Sequence, residues 1–372
     1  MKQDQLYIGL ISGTSMDGID AALLECSDSY RVLATHFLAY PGNIQRSLVD
    51  LIQAHDRCTL DNLGTLDAQL GKLFAQAAVE LLAKTSCTKE QIAAIGSHGQ
   101  TVRHHPVTGN KGDAAYTLQI GDPNIIAETT GITTVADFRR RDMAAAGQGA
   151  PLVPAFHAAV FGKPGSELAV INIGGIANIS VLAADGSVCG FDTGPGNCLM
   201  DQWAQRQFGQ VCDRDSHIAS SGHIDESLLR RLLDDPYFQL PSPKSTGPEY
   251  FNFDWLQPRL DKSTIKPEDV MRTLNQLTAA SIAEAVTRLS PSPEHVYLCG
   301  GGVHNPVLMH ALIAELPDTQ LDTTDVLAIN PDFVEAAAFA WFARQTILGL
   351  AVDLTRVTGA AQPRVLGGIY HG

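Results

Sequence analysis

Two stretches of the chain obey one rule: an apolar run, a glycine turn without lysine, then a second apolar run. The first is Tyr7 to Glu25, YIGLISGTSMDGIDAALLE, and the second is Glu167 to Leu182, ELAVINIGGIANISVL. Each predicts a β-hairpin at the head of its half. A Walker-type phosphate loop instead runs from strand into helix and carries a lysine. A nucleotide resting on such hairpin turns would be held by backbone N–H groups, with a divalent cation supplying positive charge. Taken alone, the turn Gly13-Thr14-Ser15-Met16-Asp17-Gly18 is equally a plain hairpin, because Gly, Asp and Ser are ordinary turn formers.

Two heads of this kind in 372 residues predict two domains. After the first hairpin, YRVLATHFLAYP reads as a third strand. Leu63, Leu66, Leu70, Leu73, Phe74, Ala77 and Leu81 recur at helical spacing and predict a long helix packed on the sheet. QIAAIGSHGQTVRHHP gives a short buried strand with a polar end, and the stretch from Gly131 to Pro154 is a candidate hinge. In the second half, helices are expected around Cys198–Phe208, Ile224–Leu233 and Leu274–Leu289. HVYLCGGGVHNPVL predicts a buried strand running through glycines into a helix, and DFVEAAAFAWFARQTI a late alanine-rich helix. Pro241 to Pro258, rich in proline and aromatics, reads as an excursion over the surface.

Lys and Arg number 26 against 40 Asp and Glu, a net charge of −14, which argues against a nucleic-acid partner. A small anionic ligand held locally remains open. The seven cysteines contain no C-x-x-C pair, which argues against a zinc site or disulfide framework and predicts a reducing, cytoplasmic setting. The polar MKQDQ start and the absence of an apolar run near ~18 residues predict neither a signal peptide nor a membrane span.

The motifs IGLISGTSMDGIDAALLE, SHGQTVRHHP, LQIGDPNIIAETTGITTVADFRRRDMAAAGQGAPLVPAFH, NIGGIANIS, FDTGPGN and CGGGVHN occur in this order along nearly the whole chain. In them the sequence resembles the anhydro-N-acetylmuramic acid kinases of the actin-like, sugar-kinase and chaperone ATPase superfamily. One departure is Ala146, where the family pattern reads a glycine. The added methyl is expected to be tolerated unless the position needs φ > 0.

The resemblance implies a two-domain α/β actin-like (ribonuclease H-like) fold, with nucleotide and sugar in the interdomain cleft. The first domain would comprise 1–137 with 334–372, and the second 138–333. It implies an ATP- and Mg²⁺-dependent kinase of cell-wall recycling and amino-sugar catabolism, and a homodimer. Such an enzyme opens 1,6-anhydro-N-acetylmuramic acid with water and moves the γ-phosphoryl group to O6. The first phosphate loop would be Gly13, Thr14, Ser15, Met16, Asp17, Gly18, Ile19 and Asp20, with Asp17 toward Mg²⁺. The second would be Gly174 and Gly175, while Gly300, Gly301, Gly302 and Asn305 would border adenosine. Asp192 would be the general base that takes the proton of water, and Glu335 would help hold that water. Thr101, Asp192 and Arg139 would contact the sugar, Arg139 reading its lactyl carboxylate; Arg140 or Arg141 could carry that contact instead.

Other readings compete. An ATPase with a conformational output would keep the loops, and a kinase for an ordinary hexose would not need the water. A dinucleotide reading of GGGVHN lacks a ribose-binding acid. His36, His55, His98, His104 and His105 invite a metal-hydrolase reading, but show no H-x-x-x-H spacing and are expected to support loops.

Overall fold

The computed structural model describes residues 5–27, 29–53, 59–106, 114–163, 165–242, 244–260, 265–293 and 295–372. His55 and Cys58 lie outside them. Two compact units emerge: Met1–Phe161 with Asp332–Gly372, and Gly162–Pro331. The first crossing thus falls beyond the expected 137. The helix Phe138–Met143 packs against the unit-1 strand Tyr116–Ile120, and Pro154–Phe161 against the late helix Val334–Ile347, so both stay with unit 1.

In unit 1 the strands are β1 (Gln5–Ser12), β2 (Gly18–Cys26), β3 (Tyr30–Ala39), β4 (Ile92–His105), β5 (Tyr116–Ile120) and β6 (Thr134–Ala136). In unit 2 they are β7 (Leu168–Ile173), β8 (Ile176–Leu182), β9 (Val188–Pro195), β10 (His295–Cys299) and β11 (Gln320–Thr323), and β12 (Gly368–Tyr370) returns to unit 1. The first sheet runs β12-β6-β4-β1-β2-β3, with β5 paired to β4, and the second runs β11-β10-β7-β8-β9. In both, an antiparallel three-strand meander lies beside two strands parallel to its first. The two sheets thus share one path, β3-β2-β1-β4-β6 in unit 1 and β9-β8-β7-β10-β11 in unit 2, and the echo of the two heads is an echo of topology.

The leucine spacing forms the helix Leu60–Ala83, which buries Leu66, Leu70, Phe74, Ala77 and Leu81 on the unit-1 sheet. β4 is longer than expected, 14 residues, because its polar end is held by β5. The alanine-rich helix Val334–Ile347 packs on β1, β2 and β4. Gly9 in β1 and Gly96 in β4 allow this: a Cβ on either would run into the helix backbone at Ala336 or Phe339. This close seat brings Glu335, in the first helical turn, within electrostatic range of Asp20 on β2.

Unit 2 has its own core, where Ile171, Ile179 and Leu298 of the sheet meet Leu274, Leu277 and Ile282 of the helix Pro267–Thr287. Phe251, Trp255 and Leu256 join that core. The expected surface excursion is thus corrected in part. Asp235 accepts from Trp255 Nε1 (2.8 Å), Tyr250 Oη (2.9 Å) and Arg259 Nη2 (2.7 Å), which folds the aromatic stretch inward. Among the described residues Cys26, Cys87 and Cys198 are free thiols, and no helix is long and apolar enough to cross a membrane.

Candidate active site

The first loop connects β1 to β2. Met16 takes the left-handed conformation (φ 52°), and its N–H donates to Gly13 O at 3.3 Å. Ser15 Oγ donates to Asp17 Oδ1 (2.6 Å), and Tyr40 N–H donates to Asp17 O (2.8 Å). From β4, Gln100 Nε2 donates to Gly13 O (3.3 Å), and Gln100 Oε1 accepts from Ser12 Oγ (2.7 Å). The loop is therefore shaped from behind while Thr14, Ser15 and Asp17 stay exposed.

The two glycines of this turn differ. A Cβ on Gly13 would meet nothing within 4 Å, whereas one on Gly18 would press on the Phe37 ring and Leu38 O. Gly18 begins β2 and Ile19 is fully buried, so these two residues seat the hairpin in the sheet.

Asp20 is the electrostatic outlier of unit 1. Burial pushes its carboxyl up to about 8, and Asp17, Glu335 and Asp332 push in the same direction. Burial also raises Glu335, against a lowering by Arg139. Carboxylates that repel one another without water suit a cation. Among the described residues no three His, Cys, Asp or Glu side chains form a metal-binding group. Mg²⁺ keeps several of its waters and needs only one or two carboxylates, so the donor set fits it.

Arg139 is half-buried and fixed: Nε donates to His98 Nε2 (2.8 Å) and Nη1 donates to Gly149 O (2.9 Å). His98 must then be neutral with its proton on Nδ1, which donates to Gly99 O (2.8 Å). Burial and Arg139 hold its pKa well below the ordinary value. His104 is similarly lowered to about 4 by burial and contacts Thr117 Oγ1 at 3.1 Å. Arg140 pairs with Asp137 (3.4 Å), and Arg141 is exposed. Thr101 Oγ1, on β4, accepts from Gln119 Nε2 at 3.1 Å.

Behind Arg139, Asp142 Oδ2 accepts from Gly149 N–H (2.8 Å) and Oδ1 accepts from Thr358 Oγ1 (2.9 Å). The loop between them contains Ala146 at φ 68°. The position does take the left-handed region, so the stated exception applies and the methyl there strains the backbone.

In unit 2 the β7–β8 turn is short. Its carbonyls are held by the segment before the helix Cys198–Phe208: Asn197 N–H donates to Gly174 O (2.8 Å), and Gly196 N–H (2.9 Å) and Cys198 N–H (3.0 Å) donate to Gly175 O. Gly300 (φ 82°) passes Asn172 too closely for a side chain, and Gly302 presses on Ile173. Gly301 has only Asn197 Nδ2 near a Cβ, at 3.9 Å. Asn305 caps the helix Pro306–Glu315, its Oδ1 accepting from Leu308 N–H (2.9 Å) and Ser216 Oγ (2.5 Å).

Asp192 lies on β9, an edge strand, and is 9% exposed. The register with β8 steps from Asn178↔Asp192 to Ala177↔Gly194, so Thr193 is the extra residue of a β-bulge. Bulges bend a strand and re-aim its side chains. Asp192 Oδ2 accepts from Ser245 Oγ (3.0 Å) and Thr246 N–H (2.9 Å). Its N–H donates to Lys244 O (3.0 Å), and its carbonyl accepts from Tyr237 Oη (2.8 Å). Within each unit, expected site residues come together: Asp17, Asp20 and Glu335 in one, Gly174, Gly175 and the Gly300–Gly302 turn in the other. Sequence reasoning missed Gln100 and Asp332, which lay inside quoted stretches, and Tyr237, Ser245 and Thr246, which no motif marks; His98, expected to support a loop, holds Arg139.

A model of the anhydro-N-acetylmuramic acid kinase family matches residues 5–372. The anhydro-N-acetylmuramic acid kinase of Xylella fastidiosa is 49% identical over 369 residues, covering 98% of this chain and 96% of that protein. The one from Vibrio parahaemolyticus is 48% identical over 373 residues, covering 100% and 99%. Among solved structures, component A of the Acidaminococcus fermentans (R)-2-hydroxyglutaryl-CoA dehydratase is 13% identical, with a TM-score of 0.47 over 91% of this chain and 97% of that one. That last likeness is loose; the fold is read from the strand order.

Proposed function

The chain belongs to the anhydro-N-acetylmuramic acid kinase family, and from that premise we propose that it opens 1,6-anhydro-N-acetylmuramic acid with water while phosphorylating O6 from ATP. The product is N-acetylmuramic acid 6-phosphate, and the process is cell-wall recycling. The observation that carries the reading is the family match over the whole described span, at nearly half identity to its curated members.

The chemistry asks for two things at once. O6 is a poor leaving group as an alkoxide, so it must take a phosphoryl group as the bridge opens. Water must also lose a proton as it attacks the anomeric carbon. The exposed donors of Thr14 and Ser15, the open backbone at Gly13 and the Gly174–Gly175 turn are assigned to the phosphates. Phosphoryl transfer is largely a task of positioning and electrostatics, which suits backbone loops. Gly301, the open glycine of its turn, is assigned to adenosine with Gly300 and Gly302. Asp17 would hold Mg²⁺ through its water shell, with Asp20 nearby, and the ion would offset charge on the phosphates.

Asp192 accepts the proton of water, as the base of an inverting glycosidase does. Its bonds to Ser245 and Thr246 support this role, because they stabilise the ionised form that can act as a base. Glu335 holds the same water. Arg139, fixed by His98 and Gly149, is assigned to the lactyl carboxylate, and Thr101 to the sugar. A homodimer in the cytoplasm completes the proposal, the dimer supported by the family pattern and the compartment by the lack of any C-x-x-C pair.

ADP release tests the function. With 1,6-anhydro-N-acetylmuramic acid it should rise far above the rate with glucose, glycerol or N-acetylglucosamine. Equal rates with all four, or a rate unaffected by sugar, would contradict the proposal.

A further inference from the structure

The residues around Asp192 carry an inference about how it is held. β9 is an edge strand, so the outward N–H and C=O of Asp192 have no neighbouring strand. One short segment takes over that side. Lys244 O accepts the Asp192 N–H, and Ser245 Oγ and Thr246 N–H both donate to Oδ2. Tyr237 Oη donates to the Asp192 carbonyl. The segment is pinned in turn, since Lys244 Nζ donates to Tyr237 O (3.1 Å) and lies 4.6 Å from the centre of the Tyr237 ring.

We propose that Tyr237 and Lys244–Thr246 form a clamp that positions Asp192 and sets its proton affinity, making Ser245 a positioning residue for the reaction. The proposal rests on the reading of Asp192 as the base. Two donors on Oδ2 fix the plane of the carboxylate and favour its ionised form. The bulge at Thr193 turns the side chain out of regular pairing, and the clamp holds it there. The clamp arrives from 45 to 54 residues further along the chain.

Ser245 is exposed, so its substitution should not unfold the protein, and thermal melting checks this. The experiment compares wild type, Ser245→Ala, Ser245→Thr and Asp192→Asn by kcat, KM for the anhydro-sugar and the pH profile of kcat. Ser245→Ala should lower kcat several-fold with little change in KM. Its acidic limb should move to higher pH by roughly 0.5–1 unit, because a lost donor leaves the carboxylate easier to protonate. Ser245→Thr, which keeps the hydroxyl, should restore both. An inactive Asp192→Asn beside a Ser245→Ala with wild-type kcat and pH profile would overturn the clamp and leave the base standing. An active Asp192→Asn would overturn the base, and the clamp with it.

Discussion

The two units share a strand order and treat their carboxylates in opposite ways. In unit 1, Asp20 sits among Asp17, Asp332 and Glu335, and both burial and those charges raise its pKa to about 8. In unit 2, Asp192 is buried, more withdrawn from solvent than the half-buried Asp20, but two donors hold its Oδ2. Burial alone therefore does not define a carboxylate's role. Repelling carboxylates suit a cation, whereas donors on a carboxylate favour its ionised form. The turns differ in the same spirit. The unit-1 loop exposes Thr14, Ser15 and Asp17, while the unit-2 turn is tied by its carbonyls to Gly196, Asn197 and Cys198.

The largest expected effect is on the unit-2 side of this contrast. Asp192→Asn keeps the shape and the partners' geometry but cannot take a proton, so kcat should fall by roughly 10²–10⁴. Binding of ATP and of the sugar should stay near wild type, and ADP and ring-opened sugar should vanish together. Calorimetric titration beside a product assay checks this; ADP release at the wild-type rate in the presence of sugar would break the contrast.

Asp20→Asn tests the unit-1 side through stability. The folded pKa of Asp20, about 8, lies above its ordinary value of 3.8, so the folded state binds its proton more tightly. Its destabilising effect is absent below the ordinary value and grows as pH rises toward 8, reaching a few kcal/mol by the relation of about 1.4 kcal/mol per unit. In metal-free buffer the Tm of Asp20→Asn should therefore gain on wild type from pH 4 to 8, and MgATP should narrow the gap. A Tm difference that does not depend on pH would show that the cluster holds no uncompensated charge.

The glycines sharpen the comparison further. Gly18→Val should destabilise by ~1–3 kcal/mol, since its side chain would overpack against Phe37 and Leu38. Gly13→Val should leave Tm unchanged and raise KM for ATP. Equal stability losses in the two variants would merge their roles. Smallest is Ala146→Gly, expected to raise stability by ~0.5–1 kcal/mol through relief of the left-handed alanine, less the entropy that glycine loses on folding. Denaturant midpoints read both.

Much of this was legible in the sequence because it is local. The hairpins, the leucine face of Leu60–Ala83 and the alanine-rich helix all follow from periodicity within a window. Gly9 and Gly96 gave no such signal, because their need for a bare backbone comes from a helix some 240 or more residues away. Ala146 was marked as a departure, yet only the backbone shows that the position lies at φ 68°. The clamp on Asp192 was hidden most fully. Pro241 to Pro258 has the composition of a surface loop, and its bonds to β9 obey no periodicity that a sequence displays.

The central claim is that water attacks the sugar while phosphate moves to O6, and oxygen labelling tests it most directly. The reaction is run in ¹⁸O-water with MgATP and 1,6-anhydro-N-acetylmuramic acid, quenched early, and the sugar phosphate is fragmented by mass spectrometry. A sample of unlabelled product in the same water corrects for exchange at the anomeric hydroxyl. The account predicts one ¹⁸O at the anomeric oxygen and none in the phosphoryl group. Label in free phosphate, with the anomeric oxygen unlabelled, would mean that water attacks ATP, and would contradict it.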